Sequence, residues 1–153
     1  MPDDPPPFDL DHARQAFVTA AQLHGEATRR GAPALTPADF DRLRAADAEH
    51  LIALREGRVD DAIRTDNEFH RVLLDAAGDP DLQVSVELLL PRLQPMDRWI
   101  FRRKVRGEGG RTHPAIIAAL EAGDVETAAR LVEDSHLEAG EALAGALDPA
   151  RNG

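Results

Sequence analysis

Between Val59 and Ala77 apolar residues recur at helical spacing: Val59, Ala62 and Ile63, then Leu73, Leu74 and Ala77. The stripe stays continuous only if Asp66 and His70 point inward with it. A helix that turns a carboxylate and an imidazole toward its own core must find partners for them there, because an unpaired buried carboxylate is costly. The same conflict occurs twice more. His113 opens the stripe His113, Ile116, Ile117, Leu120, and His136 continues the stripe Val125, Ala128, Ala129, Val132, His136, Leu143. The fold must therefore carry polar groups from three helices into its interior. Asp66 and His70 stand four apart and project side by side. One carboxylate with three imidazoles suits a divalent cation, zinc first, with nickel, manganese or iron as alternatives.

The remaining sequence is read as helical throughout. Aromatic and β-branched residues are sparse and no alternating runs appear between turn signals, so the fold class is all-α. A first helix is expected over about Asp9 to Arg30, with Phe17 and His24 inward, stopped by Gly31 and Pro33. Thr36, Pro37 and Asp39 form a capping box for a second helix that runs to Gly57 and buries Phe40, Leu43, Leu51 and Leu54. The third helix ends at Gly78. Leu82 to Lys104 contains Pro91 and Pro95, which predicts a bent helix or two short ones. Gly107 to Gly110 is expected to be the most flexible interior loop, followed by helices over His113 to Ala122 and Asp124 to Leu147. Six or seven helices result. Residues 1–8 read as a proline-rich lead, 9–147 as one helical domain, and 148–153 as a frayed tail.

Composition closes off several function classes. Without cysteine there is neither a disulfide framework nor a thiolate zinc finger, which suits a cytoplasmic protein. No segment has the apolar length of a membrane span. With 18 basic and 28 acidic residues the net charge is 18 − 28 = −10, which opposes direct DNA binding. One basic cluster, Arg92, Arg98, Arg102, Arg103, Lys104, Arg106 and Arg111, reads as a solvated helix end or an anion contact. No nucleophile elbow, phosphate loop or H-E-x-x-H motif occurs, so no catalytic residue is assigned and the chain is not read as an enzyme. The rival reading is a metal-dependent helical-bundle enzyme with a labile water on its histidines. Glu133 and His136 have the spacing of a ferritin-like di-iron pair, but no second Glu-x-x-His exists. His24 is read as packing or pocket lining, His12 as exposed, and His50, three after Asp47, as the best substitute ligand.

From about Leu10 to Leu143 the chain resembles the FCD domain, the C-terminal effector-binding domain of FadR-type regulators in the GntR family. The resemblance is carried by DNEFH (Asp66 to His70), LLDAAGDPDL (Leu73 to Leu82) and THPAIIAALEAGDVETAARLVEDSHL (Thr112 to Leu137). It implies an antiparallel bundle of six or seven helices. It also implies a metal on Asp66, His70, His113 and His136 at the floor of a cavity for small carboxylates, and a homodimer. Family regulators place a winged helix-turn-helix before this domain. Here only MPDDPPP precedes it, so the chain itself is expected not to bind DNA. Arg14 matches the family's first-helix arginine and is the first choice to anchor a carboxylate effector, with Arg98 and Arg102 second. Phe17 and Val18 stand where the family has Leu and Glu, and Asp79 and Thr112 replace its Asn and Glu.

Overall fold

The computed structural model describes residues 9–108, 111–148 and 150. The expected lead, residues 149 and 151–153 of the expected tail, and Gly109 and Gly110 of the expected flexible loop lie outside the described residues. Among the described residues six α-helices follow one another: α1 (Leu10–Gly31), α2 (Pro37–Arg55), α3 (Val59–Ala77), α4 (Pro80–Val105), α5 (His113–Glu121) and α6 (Val125–Leu147), with a short 3-10 turn (Ala32–Ala34) after α1. Among the described residues there is no strand.

Local chemistry sets most of the helix ends. Asp9 accepts a hydrogen bond from the His12 amide at 2.7 Å and opens α1. Thr36 and Asp39 close the anticipated capping box, with bonds of 3.2 and 2.9 Å. The third helix stops at Gly78, whose φ of +63° is a left-handed conformation that glycine adopts without strain. Asp79 then caps α4 through the amides of Asp81 and Leu82, and Arg30 at the end of α1 binds its other carboxylate oxygen.

The fourth helix departs from the sequence reading. It runs unbroken through Pro91 and Pro95 instead of dividing. The physical reason is placement. Each proline deprives the carbonyl four residues earlier of its donor, leaving Glu87 and Pro91 without helical partners. Glu87, Pro91 and Pro95 all lie on the exposed side of α4, where water can take the missing bonds.

Helix α1 packs most extensively on α6, α2 on α3, and α5 on α6. Among the described residues, two large apolar clusters and a smaller one of Ala27, Leu74, Leu82 and Val86 form the interior. One large cluster joins Phe17, Leu93, Met96, Trp99, Ile100, Phe101 and Leu143 from α1, α4 and α6. The other large cluster joins Leu43, Phe69, Leu73, Ile116, Leu120 and Val132 from α2, α3, α5 and α6. The buried histidines sit where the two large clusters meet.

Candidate metal centre

Helix α3 supplies Asp66 and His70, with His70 Nε2 3.7 Å from Asp66 Oδ1. His113, the first residue of α5, places Nε2 2.8 Å from the same oxygen and lays its ring flat on Phe69, centroids 3.9 Å apart and planes 6° from parallel. Its second nitrogen, Nδ1, is buried without a hydrogen-bond partner; the nearest carboxylate oxygen, Asp47 Oδ1, stands 3.5 Å away and is itself held by Arg111 at 2.5 Å. From α2, His50 donates Nδ1–H to the Ala62 carbonyl at 3.0 Å, with Thr65 Oγ1 at 2.9 Å. From α6, His136 donates Nδ1–H to the Val132 carbonyl at 2.8 Å. A carbonyl only accepts, so the proton of both neutral rings is on Nδ1 and Nε2 keeps its lone pair. This is the tautomer that a ligating imidazole uses when a backbone carbonyl orients it. His24 of α1 completes the group, its ring stacked 4.8 Å from that of His136 and tilted 48° to that of His70 at 5.1 Å.

Burial decides the charge of most of these groups. Loss of solvent, with His136 alongside, pulls His24 down to about 3, and burial likewise lowers His50, His70 and His136. These rings are neutral at neutral pH, so a cation would displace no proton from their free nitrogens. His113 goes the other way: burial works against its charge, but Asp47 and Asp66 together outweigh it. Burial also opposes ionisation of Asp66, yet His70 and His113 hold its carboxyl well below the usual range. His50, Asp66 and His113 each offer a ligand atom, all within 4.8 Å of one another. A divalent cation fits this set, which combines an ionised half-buried carboxylate, the oriented neutral imidazole of His50 and a His113 ring whose Nε2 meets Asp66 while Nδ1 faces a second carboxylate; His70 and His136 are not among these three close donors.

Asp66, His70, His113 and His136 all line one cavity of about 310 Å³, with His24 and His50 in the same wall. Leu51, Leu54, Leu90, Leu93, Ile100 and Phe101 supply its apolar surface, and Arg55, Lys104 and Arg111 its cations. Arg14, Arg98 and Arg102, expected to anchor an effector, are not among the residues that line this cavity. Arg14 is exposed and pairs with Glu141 at 3.5 Å, Arg98 is exposed and pairs with Asp60 at 3.5 Å, and Arg102 is also exposed. Arg14 directly follows the buried Ala13, and one residue along a helix is a 100° turn, enough to move a side chain from core to solvent. Lys104 lies on the inward side of α4, its ammonium 4.6 Å from the centre of the Phe101 ring. Sequence reasoning passed over it as one member of a basic run. Glu133 is committed elsewhere, to Arg29 at 2.9 and 3.1 Å.

Asp97 also faces the cavity, and burial, joined by the charge of Asp66, pushes its carboxyl up to about 7 from 3.8. The native state thus holds this proton more tightly than the unfolded chain, and stability falls as pH rises from about 4 to about 7. Asp97→Asn is expected to raise the Tm of the metal-free protein at pH 7.5 and to leave it unchanged near pH 4. Parallel Tm–pH curves for the two proteins would refute this.

No curated protein matches the chain. The model of the FCD domain matches residues 15–139, a stretch that runs from α1 to within α6 and contains every histidine of the site. The chain therefore belongs to the FCD family, the effector-binding regulatory domains of GntR-family regulators.

Proposed function

We propose that this domain senses a small organic acid in the cytoplasm through a divalent metal held by Asp66, His70, His113 and His136. The observation that carries the reading is the convergence of these side chains, from α3, α5 and α6, on one cavity with their imidazoles largely neutral and oriented. When bound, the metal supplies a fixed positive charge for an effector carboxylate. The chain's own residues supply the rest: Lys104, Arg55 and Arg111 attract the acid, and the leucine walls exclude water around it. Arg111 also holds Asp47, which faces His113, so the cavity rim and the histidine cluster are linked by charge. The domain acts as a homodimer, supported by Val84 and Leu88, exposed four residues apart on α4. It does not bind DNA directly, since its charge of −10 opposes a phosphate backbone.

Isothermal calorimetry against a panel of two- to six-carbon mono-, di- and tricarboxylates tests the reading. The metal-loaded protein is expected to bind at least one acid reversibly, and the chelated protein to bind it far more weakly. Lys104→Ala is expected to cost about 1.5 to 3 kcal/mol of that affinity, the worth of a charge-assisted hydrogen bond, with metal content intact. Binding that is indifferent to the metal would overturn the role of the centre, and unchanged affinity in the variant would remove Lys104 as the anchor.

A further inference from the structure

The Asp-His-His-His pattern draws ligands from α3, α5 and α6 and takes none from α2. Helix α2 nevertheless brings His50 fully into the cluster. The ring is buried, lies 4.7 Å from the ring of His113, and meets Phe101 edge-on at 5.9 Å. Its Nδ1–H is held by the carbonyl of Ala62, about one helical turn before Asp66 on α3, and by Thr65 Oγ1. Thr65 in turn contacts the carbonyls of Asp61 and Ala62 at 2.9 and 3.1 Å, so the hydroxyl has its own acceptors and the ring proton is not shared away. Nε2 is left with its lone pair, in the wall of the cavity and without a hydrogen-bond partner among the described residues.

A histidine kept only for packing also needs an acceptor for its N–H, but it gains nothing from a second nitrogen left unpartnered in the cavity wall. A carbonyl that fixes the tautomer, with the second nitrogen unpartnered beside a half-buried carboxylate, is how a protein presents an imidazole to a cation. Compactness supports the same conclusion, since the three donors lying within 4.8 Å of one another are those of His50, Asp66 and His113. His24 lacks such a hold: its ring makes no hydrogen bond among the described residues and stacks on His136. It is a wall of the site.

We infer that His50 is itself a metal ligand, so that the centre has the protein donors His50, Asp66, His70, His113 and His136 and takes a six-coordinate cation such as nickel(II), manganese(II) or iron(II) in place of a closed tetrahedral zinc. The inference rests on the metal reading proposed above. It adds a ligand from a helix outside the family pattern, and it leaves one coordination position for the effector carboxylate. Tetrahedral zinc is satisfied by four donors and has no use for a fifth.

Cobalt(II) titration of the purified chain, read by visible absorption and by proton NMR, tests the inference. Wild type is expected to bind cobalt(II) with the weak visible bands of six-coordination. It should also show exchangeable, hyperfine-shifted ring N–H signals for His50, His70, His113 and His136. His50→Gln is expected to bind at least about ten-fold more weakly and to lose one of those signals. Should that variant fail to fold, the wild-type count of shifted N–H signals decides alone. Wild-type affinity and an unaltered spectrum in His50→Gln, alongside loss of binding in His136→Ala, would overturn the His50 ligand and leave the four-residue site standing. A wild-type chain that takes up no cobalt(II) would overturn both.

Discussion

His113→Ala is expected to abolish tight metal binding and to lower the Tm of the metal-free protein as well. The substitution removes a ring stacked on Phe69 at 3.9 Å and the 2.8 Å bond to Asp66. It leaves the half-buried Asp66 carboxylate beside the neutral ring of His70, 3.7 Å away. Removing one member of a buried ionic pair costs about 3 to 5 kcal/mol, because the other stays desolvated. For a chain of this size that is roughly a 6 to 15 °C drop in Tm. In the metal-loaded protein the gap widens, since a ligand at a thousand times its Kd stabilises by about 4 kcal/mol and the variant forgoes that gain. Differential scanning calorimetry with and without chelator separates the two contributions. A variant that melts with wild type in both conditions would show that His113 has neither role.

Gly31→Ala is expected to be more disruptive than any surface change, although it adds a single methyl group. At this last residue of α1 a Cβ would sit 2.3 Å from the Leu73 carbonyl oxygen and 3.2 Å from the Ala77 amide nitrogen. Both obstacles are backbone and cannot rotate away, so α1 and α3 would have to separate along the edge that also positions His24 and His70. Overpacking of a core typically costs about 1 to 3 kcal/mol, and a clash with backbone belongs at or above the top of that range. Denaturant unfolding measures the loss. Ala at Gly57, where nothing lies within 4 Å, serves as the comparison for glycine replacement itself, with backbone strain at φ +68° as its only cost. Equal stabilities for Gly31→Ala and wild type would mean that the two helices do not meet as closely as described.

The site was partly legible because helical stripes carry direction. The interruption of the α3 stripe at Asp66 and His70, and the matching placement of His113 and His136, were enough to bring four residues to one cavity before any coordinates. On α2 the stripe was read a few tens of degrees off. Of the expected Phe40, Leu43, Leu51 and Leu54, only Leu43 is buried and the other three are half-buried; the buried face is Leu43, Ala46, His50 and Ala53. The series 43, 46, 50, 53 was present in the sequence, but two alanines gave it little hydrophobic weight. The prolines of α4 misled for a different reason: their cost depends on whether the freed carbonyls meet water, which sequence does not show. Arg14 shows a similar limit. Its residue type and motif position suited an anchor, and its direction from the helix axis did not.

Native mass spectrometry combined with elemental analysis of the purified chain addresses the metal centre most directly. One divalent ion per chain is predicted, retained through desalting, removed by a chelator with a fall in Tm, and lost in His113→Ala and His136→Ala. A chain that is purified without metal, takes up none of zinc, nickel, manganese or iron, and melts at the same temperature with or without chelator would contradict the account. Asp66 and the surrounding histidines would then be a hydrogen-bonded polar core and nothing more.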